Sequence, residues 1–387
     1  MRDGSSVPSG PRLCSASRIP AAARWRAFIC SVFLAAFCLT AAEAPPADRV
    51  DAAVQRGVDF LIKQQNREGA MIDPDRGNQY QTVMTGLSVL AMAAVGHQPA
   101  DKTPQGVAMR RAIDFLLRVD RQRPDGYFGN EDSSRMYGHG IISLALTEML
   151  GMGVDKNQDK LIRDRAVKAI ELILRSQRVR KHSVRFDGGW RYTPESGDSD
   201  LSVSVWQLMA LRSAKNAGMA VPKESIDQAV DYLKRSYASN RDASGKPTEA
   251  VSGFAYQPGG GAEFATTAAG LLALQVCGEY SAPEVIGASE WLLDLTDTGR
   301  RGRRMDYSQR WFFYGMYYYA QGMQKRGGEH ARAAKQFTER ILLDNQLPDG
   351  SWLSGDGQER NAGRVYSTSL AILSLAVKYH FLPIYQN

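Results

Sequence analysis

The chain has 387 residues, 43% of them hydrophobic, and a formal charge of +7; that is enough apolar material for a sizeable core in one large or two ordinary domains. Residues 1–44 hold five arginines against two acids, and the +4 left on the remainder is too weak a field to imply a nucleic-acid partner. Of four cysteines, Cys14, Cys30 and Cys38 fall in that same segment, so a mature chain without it keeps only Cys277 and has no intrachain disulfide.

In chain order, the first element reads as an export signal. Arg2, Arg12, Arg18, Arg24 and Arg26 precede the 16-residue apolar run Ala27 to Ala42, shorter than the roughly 20 residues of a spanning helix. Thr40-Ala41-Ala42 predicts cleavage after Ala42 and an extracytoplasmic location, periplasmic or secreted; left uncleaved, the segment would serve as a membrane anchor. Residues 45–387 then form one domain. Helical spacing predicts an outer helix from about Val50 to Gln65 and an inner one from Gln81 to Val95, then Val107 to Val119 with Tyr137 to Leu150, and Asp164 to Gln177 with a helix ending in Met209-Ala210-Leu211. Lys223 to Tyr237 pairs with Phe264 to Val276, Pro283 to Leu295 with Trp311 to Gln324, and a sixth pair ends near Tyr379. Within pairs stand turns such as Pro124-Asp125-Gly126 and Pro348-Asp349-Gly350, where proline presets φ and glycine permits the reversal.

These pairs are copies of one unit. A small residue recurs in each inner helix at Ala91, Ala145, Ala210, Ala273, Ala320 and Ser374. An acid inside each outer helix recurs at Asp59, Asp114, Glu171, Asp231, Glu290 and Glu339, at intervals of 49 to 60 residues. Such a period means stacked supersecondary units, none able to bury its apolar face alone. The repeats run approximately 50–96, 107–152, 164–219, 223–279, 283–325 and 330–380.

The outer helices and their turns resemble the QW repeats of the terpenoid cyclase and protein prenyltransferase superfamily. The matching residues are Arg56-Gly57 with Phe60-Leu61, Gln64 and Gly69; Arg111-Ala112 with Phe115-Leu116, Gln122, Gly126 and Phe128; Lys168-Ala169 with Gln177, Gly188 and Trp190; and Ile341-Leu342 with Gln346, Gly350 and Trp352. The fourth and fifth units are degenerate. The resemblance implies an all-α fold, an (α/α)6 toroid with six inner helices inside six outer ones, and a structural role for the repeated Gln and Trp.

Several chemistries of that superfamily do not fit. Cys277 lacks an Asp two residues before it, and the five histidines form no ligand-spaced group, so no zinc site is expected. Tyr280 stands where a thioester would need Gln. Asp155, Asn157 and Asp159 suggest a calcium loop, but Lys160 replaces the turn glycine and Ala166 the bidentate acid, which leaves a solvated turn. No metal and no cofactor is expected.

The class II cyclases protonate an alkene from a D-x-D-D motif. Asp198-Ser199-Asp200-Leu201 matches it without the last Asp; Asp200 would be the acid, Asp198 and Glu263 its acidic companions, while helix capping is the plain alternative. Counting ten residues back from each small position gives Gln81, Arg135, Asp200, Glu263, Arg310 and Arg364. Counting six gives Thr85, His139, Ser204, Thr267, Tyr314 and Thr368. Residues four apart share a helix face, so two stacked polar rings are expected at one mouth, with Trp206 and Trp311 as aromatic contacts. The expected ligand is isoprenoid-like or polar and anionic. The alternatives are a polysaccharide hydrolase or lyase on such a barrel, and an interaction scaffold without chemistry.

Overall fold

The structure, a computed structural model, describes residues 48–296 and 305–386. The export-signal segment and the basic run Arg300 to Arg304 lie outside the described residues. Among the described residues twelve α-helices follow one another: α1 (Arg49–Lys63), α2 (Gln81–Ala94), α3 (Pro104–Leu116), α4 (Arg135–Glu148), α5 (Lys156–Gln177), α6 (Leu201–Asn216), α7 (Lys223–Arg235), α8 (Phe264–Val276), α9 (Pro283–Thr296), α10 (Phe312–Arg326), α11 (Gly328–Asp344) and α12 (Arg364–Leu375). Among the described residues β-pairing is confined to isolated bridges such as Trp190 with Asp200.

Composition sorts the helices into two rings. Every residue of α8 is buried, whereas α7 buries only the stripe of Ser225, Ile226, Ala229, Val230, Tyr232 and Leu233, the mark of a helix with one face in water. The even-numbered helices pack side by side, and α12 returns to α2, closing an inner ring. Each inner helix packs on the outer helix that follows it, α12 on α1 included. This is an α/α toroid. Local chemistry starts the helices: Thr103 caps α3 with Pro104 in its first turn, and Asp155 accepts the Asn157 and Gln158 amides to open α5 two turns before the expected Asp164. Asp159 accepts the Gly153 N–H at 2.7 Å, so the calcium-like spacing is a capping turn.

In four of the repeats the QW residues tie an outer helix to the next. Gln122 Nε2 donates to Gly126 O and Arg165 O at 2.9 and 3.0 Å, Gln177 to Gly188 O and Ser225 O, and Gln346 to Gly350 O and Ala53 O. The first unit uses Gln65, bonded to Gly69 O and Ala108 O, and not the expected Gln64. α1 ends at Lys63, so Gln64 folds back toward Phe60 O at 3.5 Å and only the next side chain reaches across. The indoles close the motif, Trp190 Nε1 to Ile173 O at 2.9 Å and Trp352 Nε1 to Leu342 O at 2.8 Å.

The C-terminal ends of the inner helices receive the tail of the chain. Ile384 and Tyr385 are buried; Tyr385 bonds the Tyr317 hydroxyl, and Ile384 N donates to Glu148 Oε2 at 3.2 Å. Burial pushes the Glu148 carboxyl up to about 7, against hydrogen bonds from Ser213 and Ile384 that favour the anion. A carboxyl raised in the fold stabilises it at low pH; the contribution is full below the ordinary 4.5 and is lost as pH rises through about 7. Glu148→Gln is therefore expected to be more stable than the parent at pH 8, by up to about 3 kcal/mol, with the gap closing below pH 5. Urea denaturation at both pH values checks this, and a pH-independent gap would refute it.

Candidate functional site

The opposite mouth opens into a cavity of about 780 Å³, within the roughly 300–1,000 Å³ of small-molecule sites. All six inner helices send first- or second-turn residues to it, including Val83, Tyr137, Trp206, Ala265, Tyr314 and Tyr366. Six helix N-termini thus converge on one space, and their partial positive charge favours an anion there. Loops of the following repeat satisfy several of the free N–H groups: Met136 N donates to Tyr192 O and Leu201 N to Tyr256 O, Val83 N to Asp132, Phe313 and Tyr314 N to Glu359, and Val365 N to Asp73.

The walls are aromatic. Trp206 forms the floor, stacked on Tyr317 with centroids 5.8 Å apart and edge-on to Tyr314 and Tyr318. The Tyr192 and Tyr256 hydroxyls bond each other at 2.5 Å, and Tyr314 crosses to donate to Ser202 O at 3.0 Å. At the rim stand Arg135, Glu263, Arg310 and Trp311. Arg135 lies over the Tyr192 ring, and among the described residues neither Arg135 nor Arg310 forms an ion pair. The backbone here is unusual. Tyr80, Ser133, Arg135 and Trp311 have positive φ of 62, 59, 57 and 53°, and all four line the cavity. Such conformations cost on the order of 1–3 kcal/mol each and gather where a site needs them.

Six expected site residues meet in this cavity: Arg135, Trp206, Glu263, Arg310, Trp311 and Tyr314. The other five lie outside its lining. The Gln81 backbone carbonyl accepts the Thr85 hydroxyl. Arg364 is held between Asp75 and Asp349 at 2.9 and 2.8 Å. Asp198 pairs with Arg191 at 2.8 Å. His139 is fully buried, its Nδ1 accepting from Phe128 N and its Nε2 bonding Ala169 O, and burial lowers it to about 4; both ring nitrogens are thus engaged within the fold.

The inner ring of hydroxyls is a set of structural latches. Thr85, Ser204, Thr267 and Thr368 accept the backbone N–H of Met71, Trp190, Phe254 and Trp352, as His139 does that of Phe128. Each latch fixes the turn of its own repeat to its inner helix. Tyr314 departs from the pattern and reaches the cavity instead.

Asp200 lies just behind the wall. It caps α6, accepting Val203 N at 2.9 Å and the Ser202 hydroxyl at 2.7 Å; its Oδ2 has no hydrogen-bond partner, and Arg191 Nε stands 3.5 Å away. Burial raises the carboxyl to about 6 against these pulls. Ser202 Oγ is also 2.6 Å from the Tyr137 hydroxyl, so a chain of hydroxyls joins Asp200 to the cavity. Sequence reasoning missed Tyr137, Tyr192, Tyr256 and Tyr366. Tyr192 and Tyr256 share one signal in the sequence, each standing two residues after the turn aromatic of its repeat, Trp190 and Phe254. Among the described residues no group of metal-ligating side chains occurs.

No family model and no curated protein matches the chain. Solved structures do. An α-1,6-mannanase from Salegentibacter superposes with TM-score 0.59 at 11% identity over 86% of this chain and 99% of that one; an inactive variant of it bound to α-1,6-mannotetrose gives 0.59 at 10%, over 86% and 99%. A type II terpene cyclase from Scytonema, an Asp-to-Asn variant holding geranylgeranyl dihydroxybenzoate, gives 0.52 at 15% over 87% and 98%. Likeness at this identity carries the fold alone, and the chain is an α/α toroid of the architecture that a terpene cyclase and a mannanase share.

Proposed function

We propose that the protein binds an isoprenoid-like amphiphile at the toroid mouth, its hydrocarbon against Trp206, Tyr314 and Tyr366 and its anionic head at Arg135 and Arg310. The observation that carries this reading is the pair of rim arginines that form no ion pair among the described residues, above an aromatic wall. A buried hydrophobic tail gains about 0.8 kcal/mol per methylene, and charge-assisted bonds to guanidinium fix its head. Glycan hydrolysis is the weaker reading, because it needs two carboxyl groups facing one bond, and among the described residues Glu263 is the one carboxylate in the lining. Geranylgeranoic acid is expected to bind more tightly than geranylgeraniol, and Arg135→Ala/Arg310→Ala to weaken the acid about 10- to 100-fold while leaving the alcohol nearly unchanged. Calorimetry on both ligands and on manno-oligosaccharides checks this; tighter oligosaccharide binding would reject it.

Asp200 supports a second, catalytic reading of the same site. Protonated, it passes its proton to Ser202 Oγ as Ser202 passes its own to the Tyr137 oxygen and Tyr137 passes its own to an alkene carbon, leaving the carboxylate at Asp200. The resulting carbocation faces the Trp206 and Tyr314 rings. Product formation that rises as pH falls toward about 6, and is lost in both Asp200→Asn and Tyr137→Phe with binding retained, is the expected result. Turnover surviving in either variant would exclude the relay.

A further inference from the structure

A second hollow, of about 600 Å³, lies on the outer wall where the C-terminal end of α5 and the turn Val184–Phe186 meet α7. It shares no lining residue with the mouth cavity. The segment leaving α5 reads Arg178-Val179-Arg180-Lys181-His182, and all five residues line the hollow, as does Arg235 from α7.

The frame around these cations is fixed. Lys181 Nζ donates to Ser196 O at 3.1 Å, and His182 N donates to Gly197 O at 2.7 Å, so the basic segment is pinned to the loop before Asp198. Gln177 pins the opposite side through Gly188 O and Ser225 O. Arg235 gives one guanidinium bond to Asp187 O while its Nε has no partner. Arg178 and Arg180 are exposed, and among the described residues neither forms an ion pair.

Compensation of the α5 dipole accounts for only part of this. A cation stabilises a helix C-terminus within its last turn, which covers Arg175 and Arg178. Arg180, Lys181 and His182 lie beyond that turn, and Arg235 belongs to a different helix. Asp187 and Asp231 share the lining, so the hollow is no uniform basic surface; its cations are concentrated in one five-residue segment.

We propose that this hollow binds a multiply charged oxyanion group, two or more phosphate or sulfate groups held chiefly by Arg178, Arg180 and Arg235. The volume exceeds that of a single ion, and guanidinium forks match the geometry of such oxygens. The group can arrive free or as a lipid headgroup. Calorimetry with inorganic tripolyphosphate, and sedimentation with cardiolipin–phosphatidylcholine vesicles, whose anionic headgroup carries two phosphates, separate the two sources. Arg178→Ala/Arg180→Ala is expected to weaken whichever probe binds about 10- to 100-fold. Arg332→Ala/Arg340→Ala, which removes the same charge from exposed positions on α11, is expected to leave it within about twofold, as is Trp206→Phe. Equal losses in the two double variants, or no binding of either probe by the parent, would overturn the proposal.

Discussion

Gly350→Ala is expected to destabilise the protein by about 3 kcal/mol or more. Gly350 holds φ at +89°, and a Cβ there would stand 2.3 Å from Arg56 O, the carbonyl of the first outer helix beside the last repeat. Two costs therefore add: the left-handed backbone, about 1–2 kcal/mol for any L-residue, and a collision with backbone that no side-chain rotation relieves. The same close approach recurs at Gly69, Gly126 and Gly188, against Arg111 O, Lys168 O and Gln228 O. Gly350 differs in closing the circle. Gly259→Ala is the matched comparison, since φ is +88° but nothing lies within 4 Å of the added carbon; it should cost the backbone term alone. Urea denaturation of the two variants checks the difference, and equal losses would show that the seam between the last and first repeats tolerates being spread.

The second large effect is expected at Trp206. Its side chain is buried between the cavity and the ring of Tyr317, with Tyr314 and Tyr318 against its edge. Replacement by Ala should cost about 3–5 kcal/mol, because the facing rings are anchored to other helices and to the tail and cannot collapse into the space. Chemical denaturation measures it. A loss below about 1 kcal/mol, the range of volume-conserving swaps, would mean that the aromatic floor is not packed as described. Trp206→Phe keeps an aromatic floor and is the variant in which ligand affinity can be read apart from folding.

The toroid was legible in the sequence because its period is a property of packing. The small residues from Ala91 to Ser374 are all buried in the inner helices, and the Gln and Trp of the QW units recur where outer helices meet. The site was only half legible, for a geometric reason. Counting back along a helix assumes the helix continues, yet ten residues before the small position the chain is at or beyond the first turn, where capping and left-handed residues decide direction. Arg135 and Arg310 thus reach the rim while Arg364, at the equivalent count, turns outward to Asp75 and Asp349. The count of six failed differently. An inner helix has flanks as well as a luminal strip, and Thr85, Ser204, Thr267 and Thr368 lie on the flank that faces their own turn. Asp200 caps α6, the plain reading, and that position buries it at the cavity's edge.

The tail packed beneath Tyr317 makes the toroid a cup. The ligand proposed above would enter and leave by one opening, so the last part in would be the first part out. A polymer would present only an end or a bend, whereas a molecule with one greasy and one charged end would be sorted by orientation as it entered, and exchange would wait on whatever occupied the brim.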